Sequence, residues 1–142
     1  MFNPSRDEAR RFFFDTWKRY KEQEPLSGLE KLALAIIILH PEYHSVLDEP
    51  GRYLDRDYIP EMGDVNPFLH MGMHLAIEEQ LSIDQPRGIR RLFERIQQKT
   101  SDRHAAFHII IDCLGKMVWR ALRDNAAPDE KLYLECLKKR LQ

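Results

Sequence analysis

Every histidine in this chain has another four residues away. The six fall into three pairs, His40 with His44, His70 with His74 and His104 with His108. Six histidines scattered at random over this length would give about 0.2 such pairs, counted against the spacing template. An acid follows each pair after four more residues: Asp48, Glu78 and Asp112. H-x3-H-x3-[D/E] therefore occurs three times, in "HPEYHSVLD", "HMGMHLAIE" and "HAAFHIIID". Residues i and i+4 stack on one face of an α-helix. A chain that repeats this pattern is expected to be helical in each of the three places.

The rest of the sequence agrees. Gly and Pro fall mainly at element edges, and no segment sustains a period of two. Ser5 with Glu8 and Ser27 with Glu30 are capping boxes that open "RDEARRFFFDTWKRYKEQ" and "GLEKLALAIIILH". The second of these is apolar nearly all round and is expected to be central. Pro41 ends or kinks it, "PEYHSVLDE" follows as a short helix, and Pro50 with Gly51 stop that one. Asn66 caps and Pro67 opens the helix that carries His70 and His74, to about Asp84. Pro86 opens the next, Asp102 caps "RHAAFHIIIDCLGKMVWRALRDN", and Pro128 starts the last. Residues 51–65, "GRYLDRDYIPEMGDV", are the one long stretch without clear periodicity. The expected architecture is all-α: a single helical domain over residues 1–142, a bundle of about four longer helices with two or three short ones.

Composition excludes several function classes. The net charge is −1, from 22 basic and 23 acidic residues, so nothing favours nucleic acid. The longest apolar run, "LALAIIIL" at residues 32–39, is too short to span a bilayer. The N-terminus puts charges before its aromatic cluster and has no small-residue cleavage site, so it does not read as a signal peptide. Cys113 and Cys136 form no motif and read as small buried hydrophobes in a reducing compartment. A cytoplasmic protein without membrane or nucleic-acid partners is expected. There is no phosphate loop and no nucleophile elbow.

The chemistry to expect is metal binding. Two imidazoles one turn apart can converge on one ion, and apolar neighbours such as Met73, Ile77, Ala105 and Ile109 point the pairs inward. The acid after each pair is rotated by roughly 80° from the first histidine, given the helical repeat. It is placed to bridge to a second ion or to hydrogen-bond an imidazole. The expected ligands are His40, His44, His70, His74, His104 and His108, with Glu78 and Asp112 as carboxylates and Asp48 less securely placed. An imidazole-rich set suits iron, zinc or manganese, and copper too, better than calcium or magnesium. In an enzyme such an ion would activate water or dioxygen, Glu78 would move protons, and "YLDRDYIPEMGDV" would be the lid. Gly72 and Ala76, Ala105 and Ala106 would let helices approach closely. Trp17, Trp119, Phe12 and Phe13 read as core. Tyr43, Tyr53 and Tyr58 lie near the first pair and the long loop, and Asp64 would cap or cover the site. The alternative is an interaction module whose histidines form a buried structural or pH-sensing network.

"MFNPSR", "HPEYH", "NPFLH", "HLAIEEQ" and the late "HAAFH" with "LGKMVW" together resemble a family of short bacterial proteins, domain of unknown function number eighteen forty-one. The resemblance covers essentially the whole chain and implies a bacterial, single-domain, mostly helical protein. A looser likeness is to hemerythrin-like and DinB-like bundles, which set His and carboxylate ligands on inward helix faces. The sequence departs from them: Asp112 follows His108 by four where hemerythrin has H-x4-D, and no histidine lies in the Glu-x-x-His pair of ferritin-like di-iron bundles.

Overall fold

The computed structural model describes residues 6–58 and 66–142. Among them the chain forms eight α-helices and no strand: α1 (Arg6–Lys21), α2 (Gly28–Ile38), α3 (His44–Leu47), α4 (Pro50–Tyr53), α5 (Pro67–Ile83), α6 (Ile89–Thr100), α7 (Arg103–Arg123) and α8 (Glu130–Lys139), with a 3-10 turn at Pro41–Tyr43. The all-α expectation holds. No helix among the described residues is long and apolar enough to cross a membrane.

Side-chain caps set the boundaries. The Ser27 hydroxyl accepts from Glu30 N–H while the Glu30 carboxylate accepts from Ser27 N–H, so the second capping box forms as read. That bond to the Ser27 backbone holds the Glu30 carboxyl below its ordinary pKa. Asn66 accepts from the N–H groups of Phe68 and Leu69, and Asp102 from those of His104 and Ala105. Asp129 caps α8 in the same way. Three edges differ from expectation, one being the last helix, which starts at Glu130 under its Asp129 cap and not at Pro128. Pro50 does not stop a helix but opens α4, because a first-turn residue needs no N–H donor. Pro86 does not open α6. Asp84 accepts from Gly88 and Arg90 N–H, and Gly88 takes a left-handed φ of 98°, so α6 starts at Ile89. The box at Ser5 and the segment 59–65, with Asp64, lie outside the described residues.

The chain parts into two compact units, Met1–Leu75 and Ala76–Gln142, and the boundary falls inside α5. The core of the first is built from Phe13, Phe14 and Trp17 of α1, Ala33, Ile36 and Ile37 of α2, Leu47, and Phe68 and Met71 of α5. α2 is not buried all round. It presents Ala33, Ile36 and Ile37 inward, while Leu29, Ile38 and Leu39 are half exposed or more. Arg10 is buried in this unit. Its Nη1 donates to the carbonyls of Tyr53 (3.3 Å), Leu54 (2.9 Å) and Arg56 (2.7 Å). Its guanidinium also lies 5.0 Å from the centre of the Phe68 ring. A single cation thus ties the chain after α4 to α1.

In the second unit α6, α7 and α8 pack on one another. Ile89, Leu92, Phe93 and Ile96 line the buried face of α6, as its spacing predicts, and Phe93 meets Phe107 edge to face. Tyr133 and Leu137 of α8 are buried, and the Tyr133 hydroxyl donates to Gln80 Oε1 at 2.8 Å. Burial pushes the Tyr133 hydroxyl pKa upward. Two expectations fail here. Trp119 is not core but 60% exposed, with Arg123 over its ring. Cys113 and Cys136 are not free thiols: they form a disulfide, with Cα atoms 5.8 Å apart. The two lie 23 residues apart, and it is the packing of α8 on α7 that joins them. Nor does Gly72 mark a close approach among the described residues, since a Cβ there would meet none of their atoms within 4 Å.

Arg10→Met should lower stability by about 2 kcal/mol, because it removes a buried charged donor from three part-buried carbonyls. Arg11→Met, on the exposed neighbour, should stay within about 0.5 kcal/mol. Urea unfolding of both variants, with amide exchange read at residues 53–58, checks this; equal effects would show that Arg10 has no such role.

Candidate metal centre

Pro41 cannot extend α2 and disfavours helical backbone in the residue before it. At the end of α2 the His40 N–H therefore donates to the Ile37 carbonyl at 3.0 Å, in a tighter turn, rather than to that of Ile36. Histidine side chains supply two further donors. His40 Nδ1 lies 2.8 Å from the Ile36 carbonyl oxygen, and His44 Nε2 lies 2.9 Å from that of Ile37. A carbonyl oxygen can only accept, so each of these nitrogens carries hydrogen. On His40 this fixes the tautomer and makes Nε2 the atom available to a neighbour or an ion.

That atom faces α5. His40 Nε2 lies 3.1 Å from His70 Nε2. His70 and His74 stand one turn apart on α5. With His40 they make a nearly equilateral group of rings, with centroid separations of 4.9 Å (His40–His70), 4.7 Å (His40–His74) and 4.9 Å (His70–His74). His40 and His74 are each 2% exposed, and each offers a nitrogen within 4.8 Å of the other's. The Tyr43 ring stacks on His40 at 5.4 Å and 7°. Burial first, and the Glu42 carboxylate second, raise the Tyr43 pKa, which keeps a neutral phenol beside the group.

His44 does not join it. Its ring stacks on Trp17 at 4.4 Å, on the side facing α1. Asp48, the acid after this pair, accepts from Trp17 Nε1 at 2.7 Å and Lys21 Nζ at 2.6 Å. Those bonds, Lys21's first, hold its carboxyl below the ordinary value.

In the second unit, His104 and His108 occupy the first two turns of α7. Their ring centroids are 4.2 Å apart, and each offers a nitrogen within 4.8 Å of the other's. His104 is partly buried and His108 exposed. Neither trailing acid turns to a histidine. Glu78 pairs with Arg103 Nη2 at 3.0 Å, and Asp112 pairs with Arg140 and, at 3.6 Å, with Lys116. Nothing local in the sequence marks Arg103 or Arg140 as the partners, 25 and 28 residues from their acids. The structure thus gathers His40, His70 and His74 in one place, pairs His104 with His108, and engages Asp48, Glu78 and Asp112 with cations.

The model of the family described as domain of unknown function (DUF1841) matches residues 5–139. The chain belongs to that family. No curated protein and no solved structure matches it, so the hemerythrin-like likeness finds no support there.

The lowered pKa of Asp48 makes the first unit acid-sensitive. In the window at and below about pH 4, the ordinary carboxylate range, the unfolded chain binds the proton that folded Asp48 resists. Stability from this group is complete above that range and is lost as pH falls through the folded value. Asp48→Asn should flatten the fall of the urea midpoint between pH 5 and 3 and lower the midpoint at neutral pH. Trp17 fluorescence, followed in a Trp119→Phe background, measures both; an unchanged slope would refute it.

Proposed function

We propose that this DUF1841 chain is a metalloprotein that binds one or two transition-metal ions per chain. His40, His70 and His74 are the ligands in the first unit, and His104 and His108 offer a separate imidazole pair in the second. One observation carries the reading: the 3.1 Å between His40 Nε2 and His70 Nε2. Two imidazole nitrogens bound to one tetrahedral ion at the usual distances of about 2.0–2.1 Å sit about 3.3 Å apart. The pair is already within a few tenths of an ångström of that spacing. The Ile36 carbonyl on His40 Nδ1 supports it, since ligating histidines commonly donate their other N–H to such an acceptor.

Glu78 and Asp112 would have to leave arginine to reach an ion. A donor set of imidazoles without those carboxylates suits zinc or iron better than manganese. A bound ion with an exchangeable position would polarise water or a small oxygen ligand.

One contact favours a second reading. The direct Nε2 to Nε2 approach is also what a hydrogen bond from His70 to His40 would give, in a non-catalytic module whose histidines order the core.

Elemental analysis of protein purified without a histidine tag separates the two. One or two equivalents of zinc or iron per chain are expected. His70→Ala should cut affinity at least 100-fold, and His44→Ala, at a residue turned toward Trp17, should keep it. Replacing His104 and His108 together, with ions counted again, assigns the second set. No ion as purified, and none taken up from zinc or ferrous salts at neutral pH, would refute the metal reading and leave the structural network.

A further inference from the structure

The two cysteines carry an inference independent of the histidines. Cys113 on α7 is 1% exposed, whereas Cys136 on α8 is only partly buried. Both are used in the one bond, and no free cysteine remains. The helix on the far side of that bond is short. α8 has ten residues, fewer than the roughly 12–15 at which even favourable isolated helices become marginally stable in water. It depends on what ties it down: the buried Tyr133 and Leu137, the bond from Tyr133 to Gln80, the Asp112–Arg140 ion pair and the disulfide. The link before it, Asp124–Asp129, is exposed throughout.

We propose that the Cys113–Cys136 bond is a thiol–disulfide exchange site whose substrate is a dithiol, and that its reduction loosens α8 from α7. The unequal burial of the two sulfurs sets the direction of attack. A thiolate of the dithiol reaches Cys136 Sγ and forms a mixed disulfide there. The Sγ–Sγ bond breaks, and Cys113 leaves as a thiolate that takes a proton. The second thiol of the reductant then attacks the mixed disulfide. Cys136 is released and protonated, and the reductant is oxidised to its own disulfide. Two electrons and two protons pass from dithiol to protein. An oxidised dithiol in excess closes the bond again by the reverse steps. The ion pair and the buried side chains persist in the reduced form, so α8 loosens without the second unit unfolding.

The test uses the full chain, oxidised by oxidised glutathione or reduced by dithiothreitol. Amides of Glu130–Lys139 should exchange at least tenfold faster in the reduced form, with α6 in the same unit nearly unchanged. Brief exposure to the monothiol glutathione, quenched in acid and read by peptide mass, should place the adduct on Cys136. Cys136→Ser should match the reduced chain. Equal exchange in the two forms would overturn the proposal. So would an adduct on Cys113, or thiols that fail to join under oxidised glutathione. If the serine variant does not fold, the reduced and oxidised wild-type forms still decide it.

Discussion

The end of α2 governs what surrounds it. A helix stopped by proline leaves carbonyls pointing past its last turn, carrying the negative end of the helix dipole. Here two imidazoles meet them, one from each member of the "HPEYH" pair. The same spacing therefore does two unlike things. His40 donates through Nδ1 and turns Nε2 toward α5, while His44 donates through Nε2 and lies flat on Trp17. Had α2 run on for another turn, the His40 amide would have taken the Ile36 carbonyl, and the His40 ring would not be held where it is.

The acids show why an i+4 series is not a three-ligand series. Each step of four advances about 40° around the helix beyond a full turn. The third member therefore faces a different neighbour from the first. In all three motifs that neighbour is cationic: Lys21 for Asp48, Arg103 for Glu78, Arg140 for Asp112. These pairs are largely exposed and contribute little stability individually. Their consequence is chemical, because a carboxylate bonded to arginine is a poorer ligand than one with its lone pairs open.

Much of the fold was legible in the residues themselves. Helix starts at Ser27, Asn66 and Asp102 are written in single capping side chains, and the buried face of α6 in its spacing. What escaped was long-range or decided by geometry in a turn. Arg10 looks like one more charge in "RDEARR", yet it is buried on carbonyls more than forty residues away. Cys113 and Cys136 carry no motif, and only the docking of α8 makes them a pair. Asp84 and Gly88 form a turn whose left-handed glycine displaces the helix start that Pro86 suggested. At the site, the pattern marked all six histidines alike. It did not say which ring would rotate to Trp17, because that depends on where α1 lies.

The three clustered rings also bear on which ion such a site would favour. Carboxylates broaden a site toward hard ions by adding charge and oxygen donors. The first unit presents nitrogen donors from two rings buried to 2% exposure and a third partly buried beside them. Burial lowers the screening by water that would weaken an ion's hold. The Ile36 carbonyl adds to this by holding the hydrogen of His40 at Nδ1, so that no tautomer change is needed at that ligand. His70 is different: if its Nε2 donates to His40 in the ion-free state, it must move that hydrogen to Nδ1 before it can ligate. Of the three, His70 is the ligand whose rearrangement would accompany ion entry, and it is also the least buried.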